Sequence, residues 1–145
     1  MLIGHYITKL SDKGRSALPA KYKKEIGQKA IIAKWYEGCL VVVSQTSWNA
    51  LLNKLTGRSE MITAPVRETD RFILGSAFEI ELDSQGRFVI PKSLREFAKL
   101  SEEIMFVGLG DRVEIWDKEV WKVKEDYIQE NAAEFLEKLS DQDRD

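Results

Sequence analysis

"LDSQGRFVIP", residues 82–91, repeats in outline a stretch 72 residues upstream, "LSDKGRSALP", residues 10–19. Both begin with Leu, carry Gly-Arg at the fifth and sixth places, and end in Pro. The repetition extends outward. A glycine and a short apolar-polar segment precede each copy, "GHYITKL" at 4–10 and "GSAFEIEL" at 75–82. In the second, Phe78, Ile80 and Leu82 alternate with Glu79, Glu81 and Asp83, the pattern of a strand with one buried face. After each proline, "KYKKEI" (21–26) and "SLREFA" (93–98) space Tyr22 with Ile26, and Leu94 with Phe97 and Ala98, as short helices entered through proline.

Strand pairs follow in both halves: "AIIAKW" and "CLVVVS" around Tyr36-Glu37-Gly38, then "EIMFVGLG" and "RVEIWD" around Gly110-Asp111. Each half closes on a helix bearing a tryptophan, Trp48 or Trp121, with Ser44 or Thr46 and Asp117 as candidate caps. Each half therefore reads as strand, tight turn, strand, helix, strand, strand, helix. A further helix is predicted over Pro65 to Leu74, and the final helix over 117–139, with Val120, Trp121, Tyr127, Ile128, Phe135, Leu136 and Leu139 on one side. The expected organisation is a first repeat at 1–58, a linker helix at 59–74, a second repeat at 75–122, and a C-terminal helix with an acidic tail at 117–145. A spacing of 72 residues is too long for a solenoid and fits duplication of a small module.

Net charge over the 145 residues is −2, but its distribution is uneven. Residues 1–38 hold eight Lys/Arg against three acids; residues 111–145 hold six against twelve. Exposed charges separated by more than a Debye length, ~8 Å at physiological salt, barely cancel, so a basic face can coexist with an acidic tail. The chain has no apolar run of membrane-spanning length and no leader pattern, and its single cysteine, Cys39, forms no internal disulfide. The expectation is a cytoplasmic protein.

The Gly-Arg turns carry the functional signal. Ser11 and Asp12, or Asp83, open the turn by accepting from nearby backbone N–H groups, and Gly14 or Gly86 supplies positive φ. A turn needs that glycine; it does not need Arg15 or Arg87. One reading is structural, with Asp83 pairing Arg87 to steady the hairpin, a contribution of only ~0–1 kcal/mol. The other is anion recognition: arginine's planar fork grips phosphate, or guanine O6 and N7, in bidentate fashion. Lys13 and Gln85 lie two residues before each arginine as supporting contacts. Lys21, Lys23, Lys24, Lys92 and Arg95 line the following helices. A two-stranded ribbon with such a tip can enter the major groove.

At these residues the chain resembles the MraZ family, bacterial regulators related to the AbrB-type swapped-hairpin DNA binders. The resemblance rests on "GRSALPAKYKKE", "GRFVIPKSLREFA", "RFILGSAFEIELDSQGR" and "FVGLGDRVEIWD". Members carry two Asp-x-x-x-Arg motifs. The second is present as Asp83 to Arg87; in the first, Ser11 stands where Asp is expected and Asp12 is displaced by one. The resemblance implies an α+β fold class: two AbrB/MraZ-like β-hairpin modules with short helices and a C-terminal helix, in a ring-forming homo-oligomer. It implies a nucleoid-associated, sequence-specific repressor that binds double-stranded DNA at promoter repeats upstream of its own division and cell-wall operon. DNA-binding residues are then Lys13, Gly14, Arg15, Lys21, Gln85, Gly86, Arg87 and Lys92, with Ser11, Asp12 and Asp83 stabilising the turns.

Catalysis finds no support. "GLGDRV" leads into a strand and lacks the later glycine of a phosphate loop. His5 is the sole histidine, no His/Cys cluster has zinc spacing, and no serine sits in a nucleophile elbow. No catalytic residue, metal or cofactor is expected. Cys39 and the tryptophans read as packing residues. The alternative function is an antitoxin-like or scaffolding module whose acidic C-terminal helix binds another protein.

Overall fold

In the computed structural model, which describes residues 1–56 and 62–142, the two arms of each Gly-Arg turn do not form a ladder with each other. Strand β1 (Leu2–Lys9) leaves the first turn to pair antiparallel with β7 (Glu103–Gly110), from Leu2 opposite Gly110 to Lys9 opposite Glu103. Strand β5 (Phe78–Glu81) leaves the second to pair with β3 (Lys29–Lys34). The return strands, β2 (Arg15–Ala17) and β6 (Arg87–Val89), pair with one another. The hairpin read locally at each turn is thus replaced by an exchange of strands between halves, the kind of arrangement that the swapped-hairpin resemblance implies. The physical reason lies in the return arms: each is three residues long and ends two residues before a proline at 19 or 91, which has no N–H to continue a ladder.

With β4 (Leu40–Ser44) and β8 (Val113–Asp117), the strands form a six-stranded sheet in the order β1-β7-β8-β4-β3-β5 and a two-stranded ribbon β2-β6. Exchanging each strand for its repeat counterpart leaves both orders unchanged. A pseudo-two-fold therefore runs between β4 and β8 and through the ribbon. One face of the sheet is covered by the ribbon with α1 (Ala20–Ile26) and α4 (Lys92–Phe97). Repeat-equivalent residues meet there: Leu10 with Leu82, Leu18 with Ile90, and Tyr22 with Leu94 belong to one buried cluster. Burying each such side chain contributes ~1.5–3 kcal/mol before entropy is counted.

The opposite face is covered by α2 (Trp48–Thr56), α3 (Ala64–Ile73) and the start of α5 (Lys118–Gln142). Central strands β3 and β4 are apolar without interruption because both their faces are buried: Ala30 and Ile32 serve the first cluster, Ile31 and Ala33 the second. Trp35, Trp48 and Trp116 are buried in that second cluster. Of the candidate caps, Asp117 starts α5 by accepting from the N–H groups of Glu119 and Val120 at 3.1 and 3.3 Å, and Ser44 Oγ accepts from Ser47 at 3.2 Å. The linker helix begins at Ala64 and ends at Ile73, one residue off its predicted bounds at each end. The expected boundary at 58/59 and the tail end 143–145 lie outside the described residues.

Candidate nucleic-acid interface

Both tips are built from the same backbone bonds. Gly14 N–H donates to Ser11 O and Gly86 N–H to Asp83 O, each at 2.9 Å, with φ of +81° and +78° at the glycines. The tips also interlock. Ile90 N–H donates to Gly14 O at 2.7 Å, and Leu18 N–H donates to Gly86 O at 2.9 Å. Each tip is braced from beneath by the other half's helix. Arg95 of α4 donates from Nε to Ile90 O at 2.9 Å and from Nη1 to Asp12 O at 3.3 Å. Lys23 of α1 packs its stem against the space beside Gly86. Arg95, read from the sequence as one of a row of basic residues, is in fact a bracket. Its spacing of four from Pro91 gave no sign of that, because the tip it supports is 83 residues away.

Ribbon register decides where the arginines point. Arg15 stands opposite Val89, Ser16 opposite Phe88, and Ala17 opposite Arg87. Ser16 and Phe88 are buried, so the ribbon's other face presents Arg15, Ala17, Arg87 and Val89 together. The two arginines are diagonal neighbours, roughly 7–8 Å apart at the backbone. They border one open cleft of about 700 Å³, whose charged lining is Lys9, Arg15 and Arg87 against Glu81 and Asp83. Lys13, Gln85, Lys21 and Lys92 are exposed but lie outside that lining; Lys92 borders a second cleft with Ser11, Asp12 and Arg95.

The tips differ in their side chains. Asp83 Oδ1 accepts from the N–H groups of Gln85 and Arg87, both at 2.9 Å, and its Oδ2 accepts from Arg87 Nε at 2.6 Å. The Arg87 backbone N–H first, and its guanidinium second, hold the Asp83 carboxyl below its ordinary value of 3.8. In the first tip Ser11 Oγ accepts from Arg15 N–H at 3.0 Å, which reproduces the backbone half of that arrangement. The other half is missing: among the described residues nothing holds the Arg15 guanidinium. Elsewhere among the described residues, no three His, Cys, Asp or Glu side chains group to hold a metal, and no helix is long and apolar enough to cross a membrane. Cys39 is fully buried, and burial pushes its thiol well above the usual range.

The family model described as "MraZ protein, putative antitoxin-like" matches residues 73–143. Transcriptional regulator MraZ of Thermoanaerobacter sp. (strain X514) is 38% identical, covering 97% of this chain and 98% of its own length. The regulator of the same name from Moorella thermoacetica is 39% identical, covering 99% of each. The chain belongs to the MraZ family. MraZ relatives are transcriptional regulators and not enzymes, which agrees with the absence of any catalytic pattern in the sequence. A solution structure of PHS018 from Pyrococcus horikoshii overlaps 79% of this MraZ-family chain and 88% of its own at 16% identity and a TM-score of 0.32, too distant a likeness to carry an argument.

Proposed function

We propose that this transcriptional regulator binds double-stranded DNA through the β2–β6 ribbon, with Arg15 and Arg87 as the principal contacts and Lys13 and Gln85 beside them. The observation that carries the reading is the pairing of β2 with β6, which sets arginines from both halves side by side on one exposed face. A planar guanidinium suits both phosphate and guanine, and two of them on one face can engage one duplex together. Gly14 and Gly86 let the tips interlock; Ser11, Asp12 and Asp83 shape them; Lys21 and Lys92 supply flanking charge. The DNA is the set of promoter repeats upstream of the protein's own division and cell-wall operon, where binding represses transcription in the cytoplasm, at the nucleoid.

One ribbon offers few phosphate contacts, so a homo-oligomer, as a ring, supplies avidity on repeated sites. Support for assembly comes from unpaired apolar surface. Edge strand β1 exposes Ile3, Tyr6 and Ile7, edge strand β5 exposes Phe78, and α5 exposes Val123, Leu136 and Leu139. The test is fluorescence-anisotropy binding to the DNA upstream of the gene, wild type against Arg15→Ala/Arg87→Ala, across a salt series. Each lost phosphate contact lowers the slope of log K against log salt by ~0.9. Specific, salt-steep binding by wild type, lost in a folded double variant, supports the reading; equal binding by both proteins refutes it.

A further inference from the structure

The two tips share a backbone but not a side-chain environment, and the difference has chemical content. Arg87 is fastened before any ligand arrives. Its Nε is engaged by Asp83 at 2.6 Å, and Asp83 is itself fixed by two backbone N–H groups at 2.9 Å. That leaves the two terminal nitrogens outside the Asp83 contact, on a side chain that is exposed but biased toward one conformer by the pairing. A fork whose aim is set in advance discriminates between base edges, because a misplaced acceptor cannot be chased by a rotamer change. The carboxylate also neutralises much of Arg87's charge, so this tip is a poor magnet for a phosphate chain.

Arg15 is the opposite case. Ser11 accepts only from its backbone, and among the described residues no carboxylate is paired with its guanidinium. It shares a tip with Lys13, so that tip carries two cations against the single carboxylate of Asp12. A mobile cation with uncompensated charge suits the phosphate backbone, which fixes position but carries no sequence information.

We infer that the tips divide the work: Arg87, buttressed by Asp83, reads base edges, and Arg15 grips backbone phosphate. The inference rests on the DNA-binding reading above and goes beyond it in giving the two arginines different roles.

The test exploits the difference between arginine and lysine. A lysine keeps the charge that a phosphate requires but has neither the planar fork nor an Nε for Asp83. Full-length wild type, Arg15→Lys, Arg87→Lys and Asp83→Asn are each used to select from duplexes with a randomised core. Affinities for the enriched duplex and for a scrambled duplex of equal length are then measured across a salt series. Circular dichroism and sedimentation check that fold and assembly are unchanged. Arg15→Lys should enrich the same sequence as wild type, with binding to the enriched and scrambled duplexes weakened by a similar factor and a salt slope that matches. Arg87→Lys should lose about tenfold or more of the preference for the enriched duplex at little cost to scrambled DNA, the scale of one bidentate base contact. Asp83→Asn should lose part of that preference. If both lysine variants lose the same base positions, or both keep them all, the division of labour is wrong while the DNA reading stands. If wild type enriches no sequence, sequence-specific binding and this inference fall together.

Discussion

Replacing Gly86 by alanine tests the interlock of the tips directly. The residue sits at φ +78°, and a Cβ there would meet the Leu18 carbonyl oxygen at 2.8 Å, the same oxygen-bearing segment whose N–H donates to Gly86 O. Left-handed backbone costs a residue with a Cβ ~1–2 kcal/mol. Forcing a methyl against a fixed carbonyl adds ~1–3 kcal/mol of overpacking. The sum is roughly 3–4 kcal/mol, and at about 3 °C per kcal/mol for a chain near this length the thermal midpoint falls by about 10 °C. Gly38→Ala provides the control, since Gly38 has φ +81° but nothing within 4 Å of its added Cβ. Only the backbone cost applies there, and the midpoint should fall by about 4–5 °C. Differential scanning calorimetry at one fixed protein concentration measures both, which keeps any assembly contribution constant. Equal shifts for the two variants would show that the close approach at Gly86 carries no energy, and the interlock argument would fail.

Asp83 gives a pH dependence of known sign: a carboxyl held below 3.8 stabilises the fold above that value, and the contribution is lost as pH falls through its depressed folded pKa. Asp83→Asn should therefore flatten the acid limb of a pH–stability curve measured below about pH 4. Burial raises the Glu114 carboxyl above its ordinary 4.5, so ionised Glu114 works against folding. Glu114→Gln, which can still accept from Trp116 Nε1, should raise the melting midpoint at pH 8 and lose that advantage as pH falls through the raised pKa. Cys39, fully buried, should react with a thiol reagent only as the protein unfolds; second-scale labelling of native protein would contradict its burial.

Much of the fold was legible because local patterns and tertiary placement agree. Proline before each short helix and the run of apolar residues in "AIIA" and "LVVV" each report a local environment that the structure keeps, whereas the alternation over 78–82 holds only in part: Leu82 is buried and Ile80 half-buried, but Phe78, on an edge strand, is exposed. Asp117 capped its helix as its position suggested. What stayed hidden was partner choice. The turn at Ser11–Arg15 has every residue a hairpin wants, and nothing local says that Leu10 N–H will donate to Glu102 O while Leu18 N–H donates to Gly86 O. Strand pairing is a non-local decision, made here by the shared core that Leu10, Leu18, Leu82 and Ile90 fill together. Arg95 was misread for the same reason. By contrast, the Asp83–Arg87 pair was readable at four-residue spacing, and so was the lack of its counterpart at Ser11.

The exchange of strands also has a consequence in time. As the chain leaves the ribosome, β1 emerges first, yet its partner β7 ends at Gly110, 101 residues beyond Lys9. At ~5–20 residues per second, β1 waits about 5–20 s before it can be paired, with its backbone hydrogen-bonding groups and the side chains of Leu2 and Leu10, buried in the finished fold, unprotected throughout. Its counterpart β5 waits for nothing, because β3 has already been made when β5 appears. A symmetric product is thus assembled by an asymmetric history, and the longest vulnerable interval belongs to the first nine residues, with β2 waiting for β6 behind it.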